Sequence, residues 1–286
     1  MAMCQRRWPN YTTKDPVSQL SVKREDVKRE GLPEPRERSI IGPPQIQGLL
    51  ALTGKAQTML KRIILAIARI LIVLSIPVFL LLTNLYVFMS PTFLRYEYGK
   101  ADFPPAPGFT DEERLMVADR AITYLRSDAG IELLGDLEGD EASLFNEREL
   151  AHMEDVKVVT RQALLAHGLL GLLIAVALGV LLIVRNAQPQ VSTALFQGSL
   201  LTIALLLSLV ALVYLNFDWF FTRFHLTFFE GDSWIFALSD TLIRLFPTRF
   251  WFDAASLWGV FTVGEAVILG VVAWLSDRLT YSRATR

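Results

Sequence analysis

Cysteine is almost absent. Cys4 is the single one in 286 residues, so no disulfide can form within the chain. No apolar stretch precedes it, so it does not read as a lipid-attachment cysteine either. Histidine is nearly as scarce, with three. Charged residues make up only 20% and balance to a net −1, which excludes the bulk positive field that gathers nucleic acid. The chain also lacks a serine or cysteine nucleophile elbow, a Walker loop and a dinucleotide-binding glycine pattern.

Apolar residues dominate instead, at 52%. They gather in four runs, residues 63–89, 163–184, 195–215 and 255–275. Each is long enough for a helix to cross roughly 30 Å of hydrocarbon. Arg69 sits near the start of the first run, where its side chain can snorkel to the interface. Pro77 predicts a kink in that helix. Residues 48–62 are mildly amphipathic and suit the membrane surface. No cleavable signal peptide is evident, so the first run reads as an anchor.

Basic residues cluster at particular span ends: Lys55, Lys61, Arg62 and Arg69 at the first, Arg185 between the second and third, and Arg278, Arg283 and Arg286 after the fourth. The long connections, residues 90–162 and 216–254, are acidic or mixed. This bias predicts cytoplasmic termini, with both connections outside. The expected fold is all-α: a polytopic membrane protein with four transmembrane helices and an extracytoplasmic helical cap. Residues 1–47 are polar and proline-bearing, and predict a disordered cytoplasmic tail ahead of a 48–286 membrane domain. Within the first connection, Thr110 and Glu113 form a capping box before an apolar-faced helix, and a second helix is expected from about Ser143.

Two stretches hold candidate chemistry. In NERELAHMEDVK, the side chains of Glu149, His152 and Asp155 fall at i, i+3 and i+6, roughly one helix face. A carboxylate one turn from an imidazole can hold its tautomer. In FHLTFFEGDSW, His225 stands among aromatic residues suited to the headgroup level. Two imidazoles on one side of a membrane can act as base and acid in acyl transfer without a protein nucleophile. The same stretches also offer Glu149, His152, His225 and Asp232 as a metal donor set, though without a compact H-E-x-x-H pattern. His167 and Glu265 lie inside spans, where each either bridges helices or belongs to a functional path. Arg244 and Arg249 flank Pro247 and have Asp240 and Asp253 as possible partners. A metal-dependent membrane hydrolase and a non-enzymatic membrane protein with a lipid-binding cap therefore stand beside an acyltransferase.

The motifs NERELAHMEDVKVV before one span and FHLTFFEGDSWIF…TLIRLFPTRFWFDA between two others resemble a bacterial integral membrane family, formerly a domain of unknown function. It includes the lipoprotein intramolecular transacylase of Gram-positive bacteria. The resemblance covers roughly residues 65–275. It implies a plasma-membrane acyltransferase whose substrate is a lipoprotein with an S-diacylglyceryl cysteine and a free amine. The sn-2 acyl chain would move to that amine, leaving a lyso-form lipoprotein, with no metal or cofactor. The family's paired histidines match His152 and His225. Glu149 and Asp155 are then expected to orient His152, and Asp232 to orient His225. Phe224, Phe228, Phe229 and Trp234 are expected to cradle acyl chains and exclude water.

Overall fold

A computed structural model describes residues 44–139, 143–184 and 188–284. The expected tail lies outside these residues up to position 43, as do the turn at 185–187 and residues 140–142 of the acidic connection. Every element among the described residues is helical apart from one isolated bridge between Glu138 and Ser143.

The first helix, α1 (Pro44–Thr83), is continuous through Pro77. It stops at Thr83, and a short turn, α2 (Leu85–Phe88), follows Asn84. The last carbonyls of a helix lack intrahelical donors. Here Asn84 Nδ2 donates to Leu80 O at 3.2 Å, and the indole of Trp258 donates to Leu81 O at 2.7 Å. Asn84 also donates to Thr262 Oγ1 (3.1 Å) and to Glu265 Oε2 (3.0 Å). The intramembrane Glu265 thus has a donor from the facing helix and ties α1 to the last one. His167 does similar work: its Nε2 lies 3.0 Å from Thr83 Oγ1, and its ring stacks on Phe79 with centroids 4.5 Å apart. These contacts favour the helix-bridging reading of both residues.

The first connection folds as α3 (Pro91–Tyr98), α4 (Asp111–Arg126) and α5 (Glu132–Gly135). The expected capping box opens α4: Thr110 Oγ1 accepts from Glu113 N at 3.2 Å and Glu113 Oε2 accepts from Thr110 N at 2.8 Å. The next helix, α6 (Glu147–Ile183), begins after Asn146, four residues later than expected from Ser143. It carries the chain from the cap through the apolar layer. The remaining helices are α7 (Gln188–Leu215), α8 (Phe217–Phe228), α9 (Thr241–Leu245) and α10 (Thr248–Ala284). Pro247 immediately precedes α10, so Arg249 lies in that long helix and ion-pairs with Asp253 at 2.8 Å. Asp240 serves the connection instead, accepting from Ala237 N.

Among the described residues, four stretches are long and apolar enough to cross a membrane: Leu52–Phe88, Glu147–Ile183, Pro189–Leu215 and Thr248–Thr280. Leu165, Leu169, Leu172 and Val176 form an exposed stripe along α6, unusual in water but natural against lipid. The chain is a multi-pass membrane protein. Close packing inside the bundle relies on glycine. A Cβ on Gly259 would lie 2.3 Å from Val210 Cγ2, so α7 and α10 approach closely only because that Cβ is missing.

Two apolar cores result among the described residues. One joins α1, the far end of α6 and the start of α7 through Leu65, Ile72, Ile76, Ala177, Leu181 and Ala194. The other fills the cap at the opposite end, through Phe88, Leu94, Val117, Phe145, Met153 and Leu245. The cap is braced by charge. Lys100 Nζ lies 2.7 Å from the carboxylate of the fully buried Glu97 and 2.8 Å from Asp253 Oδ2, so α3 and α10 share one ammonium. Burial works against the Lys100 cation, but the hydrogen bonds it donates to Asp253 and Glu97 outweigh that and raise its pKa.

Candidate active site

Asn146 and Glu149 decide where His152 points. Asn146 Oδ1 accepts from Glu149 N at 3.0 Å, and Glu149 Oε2 accepts from Asn146 N at 2.9 Å. This capping box fixes the first turn of α6, and His152 follows one turn later, buried. The other carboxylate oxygen of Glu149 accepts from Leu242 N at 2.6 Å, at the start of α9. Glu149, 1% exposed, therefore ties together the starts of two helices.

The second imidazole comes from α8. Asn216 caps that helix by accepting from Trp219 N at 3.0 Å, and His225 lies in its last turn. His225 Nδ1 is 2.7 Å from the carbonyl oxygen of Phe221. A carbonyl only accepts, so Nδ1 carries the proton and Nε2 keeps its lone pair. Burial pulls the pKa of His225 below the ordinary histidine value, and the Phe221 carbonyl opposes that only in part. The neutral form is therefore favoured.

The connection after α8 closes over both rings. Gly231, at φ 64°, makes the turn that side chains disfavour. Arg148 Nη2 pins the turn, at 3.0 Å from Asp232 Oδ2 and 3.2 Å from Asp232 O. Thr241 donates to Leu144 O, and Asn146 Nδ2 reaches Asp240 Oδ1 at 3.3 Å. The two histidine rings then stand 6.4 Å apart, tilted by 23°. Phe229 contacts both, at 4.8 Å from His152 and 5.6 Å from His225. Phe236 packs 5.3 Å from His152; Trp234 and Phe221 pack 4.8 Å and 4.1 Å from His225. Two polar atoms are buried in this box with no partner among the described residues, His152 Nδ1 and Trp234 Nε1. Unpaired polar atoms are costly in apolar surroundings, and a bound polar group would relieve both.

The expected residues divide accordingly. His152, His225, Phe229 and Trp234 come together. Phe224 edges His225 at 5.5 Å but is exposed, and Phe228 packs on Phe224 at 4.9 Å, away from the imidazoles. The three carboxylates expected to orient the histidines do not bond them. Glu149 is engaged in capping, Asp155 is exposed on α6, and Asp232 pairs with Arg148 and is 78% exposed at its side chain. Orientation comes from a backbone carbonyl and from aromatic packing instead. For the same reasons, Glu149 and Asp232 are not positioned as metal donors beside the histidines. Among the described residues no three His, Cys, Asp or Glu side chains gather closely enough to hold a metal ion. Phe236 was not foreseen. The sequence signal for it is the Trp234-x-Phe236 alternation, which turns two rings the same way in extended chain.

The chain is similar to known proteins. An uncharacterized protein of Aquifex aeolicus (strain VF5) is 32% identical over 191 residues, covering 64% of this chain and 82% of that one. The membrane-integral lipoprotein intramolecular transacylase Lit of Bacillus cereus has a similar fold, with TM-score 0.64 and 22% identity, over 80% of this chain and all of that one. A histidine-to-alanine variant of the same enzyme matches with TM-score 0.61 and 21% identity, over 82% of this chain and all of that one. The family described as lipoprotein intramolecular transacylase Lit matches residues 69–251, a stretch that includes both histidines and the whole closing connection. The chain belongs to that family, and its activity is the acyl transfer for which the family is named.

Proposed function

We propose that His152 and His225 are the acid–base pair of this transfer, acting on a lipoprotein whose N-terminal cysteine carries an S-linked diacylglycerol and a free amine. The observation that carries this reading is the pair itself: two imidazoles 6.4 Å apart, walled by Phe229, Phe236 and Trp234. The substrate amine enters as an ammonium, since an α-amino group titrates near ~8. It gives its first proton to His152. The freed lone pair attacks the sn-2 ester carbonyl, and His225 Nε2 takes the second proton as the C–N bond forms. His152 returns its proton to the glyceryl oxygen as the C–O bond breaks. The products are an N-acyl amide and a free glyceryl hydroxyl, with one proton released from His225 to solvent. Amine and ester belong to one molecule, so the step gains effective molarity from being held in register. The aromatic wall disfavours water as the competing nucleophile.

The fixed tautomer supports His225 as the base. With Nδ1–H committed to Phe221, only Nε2 of His225 can accept a proton. The acid limb of the rate profile should therefore lie below the ordinary histidine value of about 6.5, because the lowered pKa keeps His225 neutral until pH falls further. Rates measured from pH 5 to 9 on membranes carrying the enzyme check this. A limb at or above the ordinary value would transfer the base role to another group.

Trp234 supplies the oxyanion donor in this reading. Its indole N–H is buried, without a partner among the described residues, and beside His225. Trp234→Phe keeps the ring and removes the donor. It should lower kcat by about 100-fold and leave KM nearly unchanged, the pattern of a bond made only in the transition state.

The same reading sets the protein in a bacterial plasma membrane, with both termini cytoplasmic and the cap outside, where mature lipoproteins reside. Lys55, Lys61, Arg62 and Arg278 near the cap-distal span ends support that orientation. The decisive experiment is mass spectrometry of a reporter lipoprotein's N-terminal peptide, from a bacterium without N-acylating enzymes, with and without this protein. An N-acyl, monoacylglyceryl peptide is the expected product. An unchanged diacylglyceryl peptide with a free amine, despite good membrane expression, would refute the reading.

A further inference from the structure

A cavity lies at the end of the bundle away from the histidines. Helix α6 leaves the cap and α7 begins where α6 ends, so the first turns of α7 are cap-distal. There α1 and α7 enclose a groove of about 630 Å³, within the usual ligand-site range of roughly 300–1,000 Å³. Arg62, Arg69, Gln190 and Gln197 supply its polar lining, and aliphatic side chains including Ile70 and Leu74 the remainder. It shares no residue with the histidine site.

Its charge is one-sided. Helix α1 contains Lys55, Lys61, Arg62 and Arg69 and no acidic residue; α7 contains no charged residue at all. Arg69 lies within an apolar span, where an uncompensated cation is costly. Its only partner among the described residues is neutral: Nη2 and Nε donate to Gln197 Oε1 at 2.8 and 3.2 Å. Arg62 has no hydrogen bond or ion pair among the described residues. The two arginines are seven residues apart on one face of α1, about 10 Å along the axis, so their long side chains can converge on one anion. Ile70 and Leu74, exposed in the same wall, continue the groove in apolar form.

We propose that this groove is a binding site for one anionic phospholipid, whose phosphate bridges Arg62 and Arg69 and whose acyl chain lies along Ile70 and Leu74. A soluble anion would satisfy the arginines but leave the apolar wall uncovered. A zwitterionic lipid would cover the wall but bring its own cation to the arginines. An anionic lipid matches both halves, as basic pockets between membrane helices commonly do.

Native mass spectrometry of the full chain in detergent tests this, with phosphatidylglycerol, phosphatidylcholine and inorganic phosphate as probes. Phosphatidylglycerol should be retained about tenfold more than phosphatidylcholine, and Arg62→Gln should remove most of that preference. Arg69→Gln also breaks the Gln197 contact and can unfold the bundle. Leu74→Trp therefore provides the second variant: it leaves every arginine contact in place, blocks the acyl path and should lower phosphatidylglycerol retention. Equal retention of the two lipids, or preference unchanged in Arg62→Gln and Leu74→Trp, would overturn the proposal. Displacement of the lipid by inorganic phosphate alone would also overturn it, marking a site for a free anion.

Discussion

Replacing either histidine by alanine should reduce lyso-lipoprotein formation by a factor of about 10²–10⁴, the usual contribution of a positioned acid or base. The double variant should be little worse than the worse single one. The reason is geometric. The two rings stand 6.4 Å apart, centroid to centroid, and on the proposed roles each handles a proton of the same reacting centre. Losing either stalls the same step, and groups that act as a unit are not additive. His152→Gln is the informative companion: it keeps polarity and approximate size but cannot carry a proton. Reporter-peptide mass spectrometry reads all four proteins. Multiplicative losses in the double variant would mean that the histidines serve separate steps, and full activity in either single variant would remove that residue from the chemistry.

Lys100→Met should destabilise the protein by about 3–5 kcal/mol, the cost of leaving one member of a buried pair uncompensated. Glu97 is fully buried, and Lys100 is its hydrogen-bond partner, through both carboxylate oxygens at 2.7 and 2.9 Å. Asp253 suffers less, because Arg249 Nε still holds it at 2.8 Å. Unfolding followed in detergent should show the loss. Adding Glu97→Gln to the same chain should recover part of it, because the stranded charge is then gone. If the single variant melts like the parent, the brace between α3 and α10 carries no net stability.

The spans were legible because a run of about 20 apolar residues has few alternatives in a folded chain. Their full length was not. Helix α1 extends back to Pro44 and α10 begins at Thr248, since polar and aromatic turns continue a helix without adding to the apolar signal. The histidine pair was legible through its motifs and not through periodicity. In α8, Phe217, Phe220, Phe221, Phe224 and Phe228 recur at helical spacing, but so aromatic a strip reads first as an interfacial belt. The support of the imidazoles was misread for a specific reason. Glu149 lies three residues before His152, which suggests a shared face. It also lies three residues after Asn146, and the unsatisfied amides at a helix start claimed its carboxylate first. The start expected at Ser143 hid that capping box. Asp232 was similarly claimed by Arg148, a pairing across the fold that local spacing does not reveal.

The double duty of Glu149 bears on the order in which the enzyme comes to life. During synthesis, α6 emerges and inserts well before α8 and α9 exist. At that stage the carboxylate can close its own helix start but has no Leu242 amide to receive. His152 then has neither its partner imidazole nor the Phe229 and Phe236 rings around it. The paired imidazoles come together only when the last connection docks, after the third span has returned the chain to the cap. On the proposed roles, a nascent chain therefore stays chemically silent until the event that assembles the aromatic wall also completes the pair.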